Sequence, residues 1–201
     1  MKPTGLPGGV TLRTPLPGDA EALCAAYVDN REHLAPWEPR RADEFFTVEG
    51  QAHRLAERLL EYEAGRLVPW LLIAGDGRVV GTITLSGITR GPFCSAYLGY
   101  WTAVDQQGRG LATAAVEAVC AAADDALGLH RIEASTLVDN VRSQRVLEKC
   151  GFQPIGLAPR YLHIDGAWRD HRLFQRILHD RPPTVRRVTR GPRPCGPAPA
   201  G

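Results

Sequence analysis

Several features that would place this 201-residue chain in other classes of protein are missing from its sequence. No apolar run approaches the ~20 residues that a membrane-spanning helix requires, and the first residues lack the apolar core of a signal peptide. The five cysteines, an odd number, are widely spaced and form no C-x-x-C pair, which disfavours a disulfide framework and a zinc site. These absences predict a cytoplasmic protein with reduced thiols, no membrane segment and no metal site.

Charge of one sign is concentrated only at the C-terminal end. The net charge is +2, but residues 181–201 contain five arginines, six prolines, three glycines and no acidic residue. The preceding residues carry 19 basic and 22 acidic side chains, a net charge of −3, which is not expected of a DNA-binding domain. The composition therefore predicts one domain over residues 1–180 and a disordered tail over residues 181–201.

Strand-like and helix-like segments alternate along the predicted domain. Asp19 and Thr47 are positioned to cap two helices, and Asp76-Gly77 is a strong signal for a two-residue hairpin. The predicted strands are 10–16, 69–74, 79–88, 96–104, 132–138, 152–157 and 168–177, and the predicted helices are 19–30, 47–64, 111–127 and 140–149. An antiparallel front half joined to a β-loop-α-β unit predicts a mixed sheet with helices on both faces.

The most informative segment is the glycine-rich turn QGRGLA at residues 107–112, which joins a predicted strand to a long Ala-rich helix. The first amides of a helix have no partner within the helix, and the helix dipole is positive at that end, so such a turn can bind phosphate. The segment lacks the Lys-Ser/Thr of a P-loop and the full spacing of a dinucleotide-binding loop. By itself it fits a diphosphate site and an ordinary strand-to-helix turn equally well.

A second segment follows about thirty residues later, at residues 139–152, with the sequence DNVRSQRVLEKCGF. Asn140 is a favourable N-cap and Gly151 a C-terminal stop for a short helix that buries Val146, Leu147 and Cys150. This segment resembles the N-x-x-S-x-x-x-L-E-K-x-G-F pattern of the GCN5-related N-acetyltransferases (GNAT family).

The resemblance extends to the glycine-rich turn and beyond it. In the family, a Q/R-x-x-G-x-G/A loop holds the diphosphate of acetyl-CoA, and Gln107, Gly110 and Ala112 match it position by position. Segments 33–37, 97–101 and 161–171 are similar to RimJ/RimL-type ribosomal-protein-alanine acetyltransferases, which acetylate the α-amine of a protein N-terminus. The resemblance implies an α/β fold with a central, mostly antiparallel sheet, splayed between its fourth and fifth strands, and helices on both faces.

The resemblance also implies which residues bind acetyl-CoA. In the family, amides along the fourth strand bind the pantetheine arm and polarise the thioester carbonyl, and Asn140 is expected to contact that arm. Ser143 lies where RimL-type members place a hydroxyl near the sulfur, so it is the implied general acid; its alternative role is to satisfy the start of a helix. The cofactor-binding residues so implied are Trp101, Thr102, Val104, Gln107, Gly108, Arg109, Gly110, Leu111, Ala112, Thr113, Asn140 and Ser143.

The sequence does not fix the general base. An α-amine has a pKa of roughly 8, so it needs only a modest base, and Glu38, Glu44, Glu133 and a relayed water are all candidates. Glu133 is paired with Ser143 as the catalytic prediction because it lies on the strand that borders the cofactor cleft. No side-chain nucleophile is required for direct attack of the amine on the thioester.

Aromatic residues occupy two other places of interest. Trp37, Phe45 and Phe46 are expected to line the acceptor groove, although a hydrophobic plug between the first two helices explains them nearly as well. Tyr97 and Tyr100 are interpreted as core aromatics rather than acids.

The predicted function is transfer of an acetyl group from acetyl-CoA to a primary amine, with a protein N-terminus, ribosomal-protein-like, as the favoured acceptor. Two alternatives stay open: acetylation of a small amine such as an antibiotic, polyamine or amino-acid derivative, and a non-catalytic acetyl-CoA sensor. The prediction also includes a homodimer as a compatible assembly.

Overall fold

The computed structural model describes residues 2–183, which form eight strands and five α-helices. The strands are β1 (Thr4–Leu6), β2 (Val10–Arg13), β3 (Val68–Ile73), β4 (Val79–Thr89), β5 (Ser95–Thr102), β6 (Arg131–Leu137), β7 (Gln153–Ile164) and β8 (Ala167–Ile177). The helices are α1 (Ala20–Asp29), α2 (Arg31–Leu34), α3 (Val48–Glu63), α4 (Leu111–Asp125) and α5 (Val141–Lys149). No helix among residues 2–183 combines the length and the apolar character that crossing a membrane requires.

The strands form one sheet in the order β1-β2-β3-β4-β5-β6-β8-β7. Between residues 2 and 183, β5 and β6 are the one parallel pair in this sheet, and the other neighbours are antiparallel. The pairing of β5 with β6 stops after Leu98 and Ala134, although β5 continues to Thr102 and β6 to Leu137. The two strands therefore part in the middle of the sheet. This confirms the predicted splay, since β5 and β6 are the fourth and fifth strands that the sequence predicted.

Two neighbouring residues of β5 show how the sheet separates the helices into layers. Successive side chains of a strand point to opposite faces. The Trp101 ring packs on Tyr27 of α1, whereas the Tyr100 hydroxyl meets Ser143 of α5. Since α3 packs on α1, and α4 on α5, the predicted helices on both faces are confirmed. Fully buried side chains fill the core, among them Val80, Ile83, Leu85, Val116, Val119, Ile132, Leu147 and Phe174.

Of the caps predicted for α1 and α3, the cap of α3 is confirmed and the cap of α1 is wrong. The Thr47 hydroxyl accepts the amide of Gly50 at 3.0 Å and so caps α3. At the start of α1, the Asp19 carboxylate is held by Arg13 at 2.6 and 2.7 Å and by the amide of Leu16 at 2.6 Å. Both Asp19 oxygens are already used before the helix begins, so α1 has no side-chain cap.

The two ends of the domain differ most from the sequence prediction. β1 was not predicted, because its three residues include a glycine and show no alternation of apolar side chains. β7 extends to Ile164 instead of ending at residue 157, and its exposed side chains hide it from an apolar-pattern search. The predicted disordered tail lies almost wholly in residues 184–201, which are outside the described residues.

Candidate active site

The glycine-rich turn lies where β5 leads into α4. Gly108 and Gly110 have φ angles of +72° and +78°, in the left-handed region that glycine adopts without strain, and a Cβ on either would meet no atom within 4 Å. The first helical backbone bond is donated by the amide of Ala114 to the carbonyl of Gly110. In the described part of the chain, the amides of residues 108–113 thus have no acceptor. They form an open set of donors at the positive end of a 15-residue helix, which suits a diphosphate.

The side chain of Gln107 spans the entrance to this turn. Its amide nitrogen lies 3.0 Å from Nε2 of His33 on α2, and its oxygen accepts a hydrogen bond from Arg142 on α5. The sequence pointed to Gln107 through the family loop, but it gave no signal for the two partners, which are distant in the chain. Gln107 therefore links the turn to helices on both sides of the sheet, and Arg142 adds a cation beside the free amides.

The end of β5 shows which backbone groups are open for the expected pantetheine contacts. Beyond Leu98 the edge of β5 that faces β6 has no strand partner, as the expected backbone contacts require. The Val104 amide, however, donates to the buried Asn30 side chain at 2.9 Å, and the Val104 carbonyl accepts the Gln107 amide at 3.3 Å. The Val104 amide therefore already has a partner, and the predicted contact of Val104 with coenzyme A stays a prediction.

Asn140 and Ser143 open helix α5 at the same end of the cleft. The Asn140 side chain accepts the amide of Ser143 at 3.1 Å, so the predicted N-cap is confirmed. This bond orients the first turn of α5 and leaves the Ser143 hydroxyl free for another partner. The helix ends at Lys149, and Gly151 beyond it has a φ of +72°. Leu147 and Cys150 are buried as predicted, whereas Val146 is half-buried.

The partner of Ser143 is Tyr100, whose hydroxyl lies 2.9 Å from Ser143 Oγ. Tyr100 is on β5, two residues past the last pair with β6, so the hydrogen bond lies at the splay. Burial is the main cause that raises the pKa of Tyr100 above its ordinary value, and the phenol therefore stays neutral at physiological pH. Interpreting Tyr100 as a core aromatic missed this role, since sequence alternation alone cannot show what meets the hydroxyl.

The three candidate bases have different surroundings. Glu133 is largely buried in an ion pair with Arg131, 2.9 Å away, and its interaction with the neighbouring Tyr97 raises the pKa of that tyrosine above its ordinary value. Glu44 is exposed. Burial raises the pKa of Glu38 above its ordinary value, even though the nearby guanidinium of Arg41, 3.7 Å away, acts in the opposite direction.

Glu38 lines a cavity of about 260 Å³ on the α1 face of the sheet. Phe45 and Phe46 also line it, whereas Trp37 does not. Tyr27 lines the cavity and also contacts β5 next to the splay, since its hydroxyl accepts a hydrogen bond from the indole of Trp101 at 3.2 Å. The cavity and the Ser143 hydroxyl thus lie on opposite faces of the same stretch of β5.

Cys120 and Cys150 are poorly suited to act as reactive thiols. Burial raises the pKa of Cys120 to about 11 and that of Cys150 to about 12, so both are protonated near neutrality. In residues 2–183 no group of three His, Cys, Asp or Glu side chains is arranged to hold a metal ion.

Comparison with known proteins agrees with this geometry. The sequence pattern of the acetyltransferase (GNAT) domain matches residues 10–153. The chain is 38% identical over 162 residues to the probable N-acetyltransferase YjcK of Bacillus subtilis, covering 78% of this chain and 87% of the relative. It is 35% identical over 156 residues to the [ribosomal protein uS5]-alanine N-acetyltransferase of Escherichia coli, covering 77% and 80% of the two chains.

A solved structure extends the comparison to three dimensions. The Mycobacterium smegmatis RimJ in complex with CoA-disulfide superposes with a TM-score of 0.82 at 36% identity, covering 88% of this chain and 86% of that one.

Proposed function

The chain belongs to the GNAT acetyltransferase family and is an N-acetyltransferase, and from this premise we propose that it transfers an acetyl group from acetyl-CoA to the α-amine of a protein N-terminus. The relatives at 35% and 36% identity, named as a ribosomal-protein-alanine acetyltransferase and a RimJ with coenzyme A, support both halves of this proposal.

The observation that carries the proposal is the arrangement of three features around the parted strands β5 and β6. The unpaired amides of residues 108–113 supply a diphosphate site at the end of β5. The Ser143 hydroxyl lies at the splay on one face, and the cavity beside Glu38 opens on the other. A thioester entering from one face can therefore meet an amine entering from the other.

The reaction is direct attack of the neutral amine on the thioester carbonyl. A C–N bond forms and the C–S bond breaks, so the nitrogen must lose a proton and the departing sulfur must gain one. Ser143 is the proposed donor of the proton to sulfur, and Tyr100 holds its hydroxyl in place. Backbone amides along the unpaired edge of β5 are suited to polarise the carbonyl.

For the proton on nitrogen, we place the base at Glu38 because it lines the cavity and because its raised pKa makes it a better proton acceptor than an exposed carboxylate. Glu133, the base predicted from the sequence, is the alternative. Its carboxylate is already paired with Arg131, and Glu133 lies opposite Tyr97, before the point where β5 and β6 part.

The experiment that tests the function is mass spectrometry of reactions with acetyl-CoA and three sets of acceptors. The sets are peptides with a free N-terminal alanine or serine, the same peptides with a blocked N-terminus and an internal lysine, and small amines. The proposal expects one acetyl group on the α-amine of the free peptides. Acetylation confined to the small amines or to the lysines contradicts it.

A further inference from the structure

The cavity beside Glu38 carries more positive than negative charge. Its wall contains three arginines, Arg31, Arg40 and Arg41, and two carboxylates, Glu38 and Asp165. A pocket that received only an amine would gain from the opposite balance, because a protonated amine is repelled by guanidinium groups. A wall with this many arginines is better suited to an acceptor that carries an acidic group beside its amine.

The ring of Phe45 contacts the guanidinium groups of two arginines next to this cavity. The Arg41 guanidinium lies 4.9 Å from the centre of the Phe45 ring, and that of Arg54 on α3 lies 4.4 Å from the same centre. Stacking on an aromatic ring fixes a guanidinium plane while leaving its N–H groups free to bind an anion. Both arginines thus contact one ring: Arg41 is in the wall of the cavity beside Glu38, and Arg54 is in the wall of a second pocket that shares Tyr27 with it.

Carboxylates of the chain pair with the three arginines of the cavity wall but not with Arg54. Arg31 and Arg40 pair with Asp43 and Asp165, all of them largely exposed. Arg41 has only the 3.7 Å contact with Glu38. Among residues 2–183, Arg54 has no carboxylate within 4.0 Å and no hydrogen bond.

A third guanidinium lies behind Arg54. Arg58, on the next turn of α3, is half-buried and donates to Thr84. Burial lowers the pKa of Arg58, and the charges of Arg54 and Arg41 lower it further. The charges of Arg41 and Arg54 thus act on Arg58 and on Glu38 alike, and the phenol of Tyr27 acts on Arg58 in the opposite direction. A buried excess of like charge is unfavourable unless an anion completes it.

We infer, on the basis of the proposed function, that this arginine group binds an acidic side chain at the second or third residue of the acceptor peptide. Glu38 would face the α-amine, and Arg41 and Arg54 would face the carboxylate. One residue of extended peptide spans at most about 3.6 Å, so an amine and an acid one or two residues apart can reach Glu38 and the neighbouring Arg41, which lies 3.7 Å from it. Guanidinium groups bind carboxylates through paired N–H donors, which gives selectivity as well as affinity.

The test uses the whole enzyme with acetyl-CoA and peptides that differ only at residue 2, which is Asp, Asn or Lys. We expect kcat/KM for the Asp peptide to exceed that for the Asn peptide about tenfold and that for the Lys peptide by more, with the advantage shrinking as salt is added. A second series varies residue 3 in the same way. The inference is overturned if neither series shows a preference for the acid, or if Lys is preferred at either position. This series needs no variant, so it does not depend on the folding of one.

Two variants locate the effect. Arg54→Gln should reduce the Asp-to-Asn ratio to near one, whereas Arg66→Gln should leave the ratio unchanged because Arg66 is exposed and pairs with Glu61 away from the cavity. An unchanged ratio in a folded Arg54→Gln enzyme would contradict the role of Arg54.

Direct binding separates this inference from the function on which it rests. Affinities of the Asp and Asn peptides, each labelled at the C-terminus, are measured by fluorescence anisotropy with the enzyme saturated with coenzyme A. Tighter binding of the Asp peptide without any acetylation rejects the proposed function but keeps the anion site. Acetylation of both peptides with equal affinity and equal rate rejects the anion site alone.

Discussion

The hydroxyl of Tyr100 lies 2.9 Å from Oγ of Ser143, although the two residues are 43 positions apart in the chain. One is on the strand that leaves the sheet pairing, and the other is in the first turn of α5. The hydrogen bond thus ties together the two elements that border the opening between β5 and β6. It places a fixed hydroxyl where the thioester sulfur is expected.

Replacing Ser143 by alanine should lower kcat by about 10²–10⁴-fold while leaving the affinity for acetyl-CoA nearly unchanged, because the change removes the proposed proton donor and no diphosphate contact. The measurements are steady-state kinetics and calorimetry with acetyl-CoA. Ser86→Ala, an exposed serine on β4, is the matched control. Undiminished turnover would remove Ser143 from the mechanism.

Replacing Tyr100 by phenylalanine should have a smaller effect, a reduction in kcat of about tenfold, since Ser143 keeps its hydroxyl but loses the group that orients it. If Tyr100 acts through Ser143, the double variant Ser143→Ala/Tyr100→Phe should be no slower than Ser143→Ala alone. Additive losses in this double-mutant cycle would show that the tyrosine acts independently.

Replacing Gly110 by valine should abolish binding of acetyl-CoA, as measured by calorimetry. The space around Gly110 is open, so the loss is expected from the left-handed φ of +78° that the turn requires, which a β-branched residue adopts only with strain. Gly65→Val is the matched control, with φ of +70°, open surroundings and a place at the end of α3. Equal affinity in wild type and Gly110→Val would refute the diphosphate site.

Replacing Glu38 by glutamine should lower kcat/KM by about 10²–10⁴-fold, whereas Glu133→Gln should retain most of the activity. Both rates are measured with the same peptide across pH. In wild type, the acidic limb of the profile should report a carboxyl with a pKa above its ordinary value, and Glu38→Gln should lose that limb. The reverse ranking of the two variants would assign the base to Glu133.

The same Glu38→Gln variant should be more stable than wild type at pH 7. The folded-state pKa of Glu38 lies above the ordinary carboxyl value of 4.5, so between these two values the folded protein binds more protons than the unfolded chain. Stability therefore falls as pH rises through that window and is not regained above it. Thermal unfolding should show a higher Tm for the variant at pH 7 and a difference near zero at about pH 4. A lower Tm at pH 7 would mean that the contact with Arg41 outweighs burial.

Most of the fold follows from the sequence because it depends on local signals. Alternating apolar residues mark the central strands, Thr47 and Asn140 cap their helices, and the glycine-rich turn separates β5 from α4. The signals failed where a tertiary contact took over a local one. Asp19 has the side chain of a cap, but Arg13 and the amide of Leu16 use it first.

The site was predictable only in part. Residues whose role comes from the backbone, such as Gly108 and Gly110, are visible as a motif. Residues whose role comes from a partner distant in the chain cannot be recognised from a motif. Tyr100 reads as one more apolar position on a strand until α5 brings Ser143 to its hydroxyl. In the same way, nothing in the segment around Val104 indicates that Asn30 will take its amide.

The central claim is that the open amides after β5 hold the diphosphate of acetyl-CoA and thereby direct its sulfur to Ser143. A crystal structure of the enzyme with acetyl-CoA tests this most directly. We predict phosphate oxygens that accept hydrogen bonds from amides of residues 108–113, and a thioester sulfur within contact distance of Ser143 Oγ in the opening between β5 and β6. A coenzyme bound elsewhere, or one whose sulfur points away from Ser143, would contradict the account.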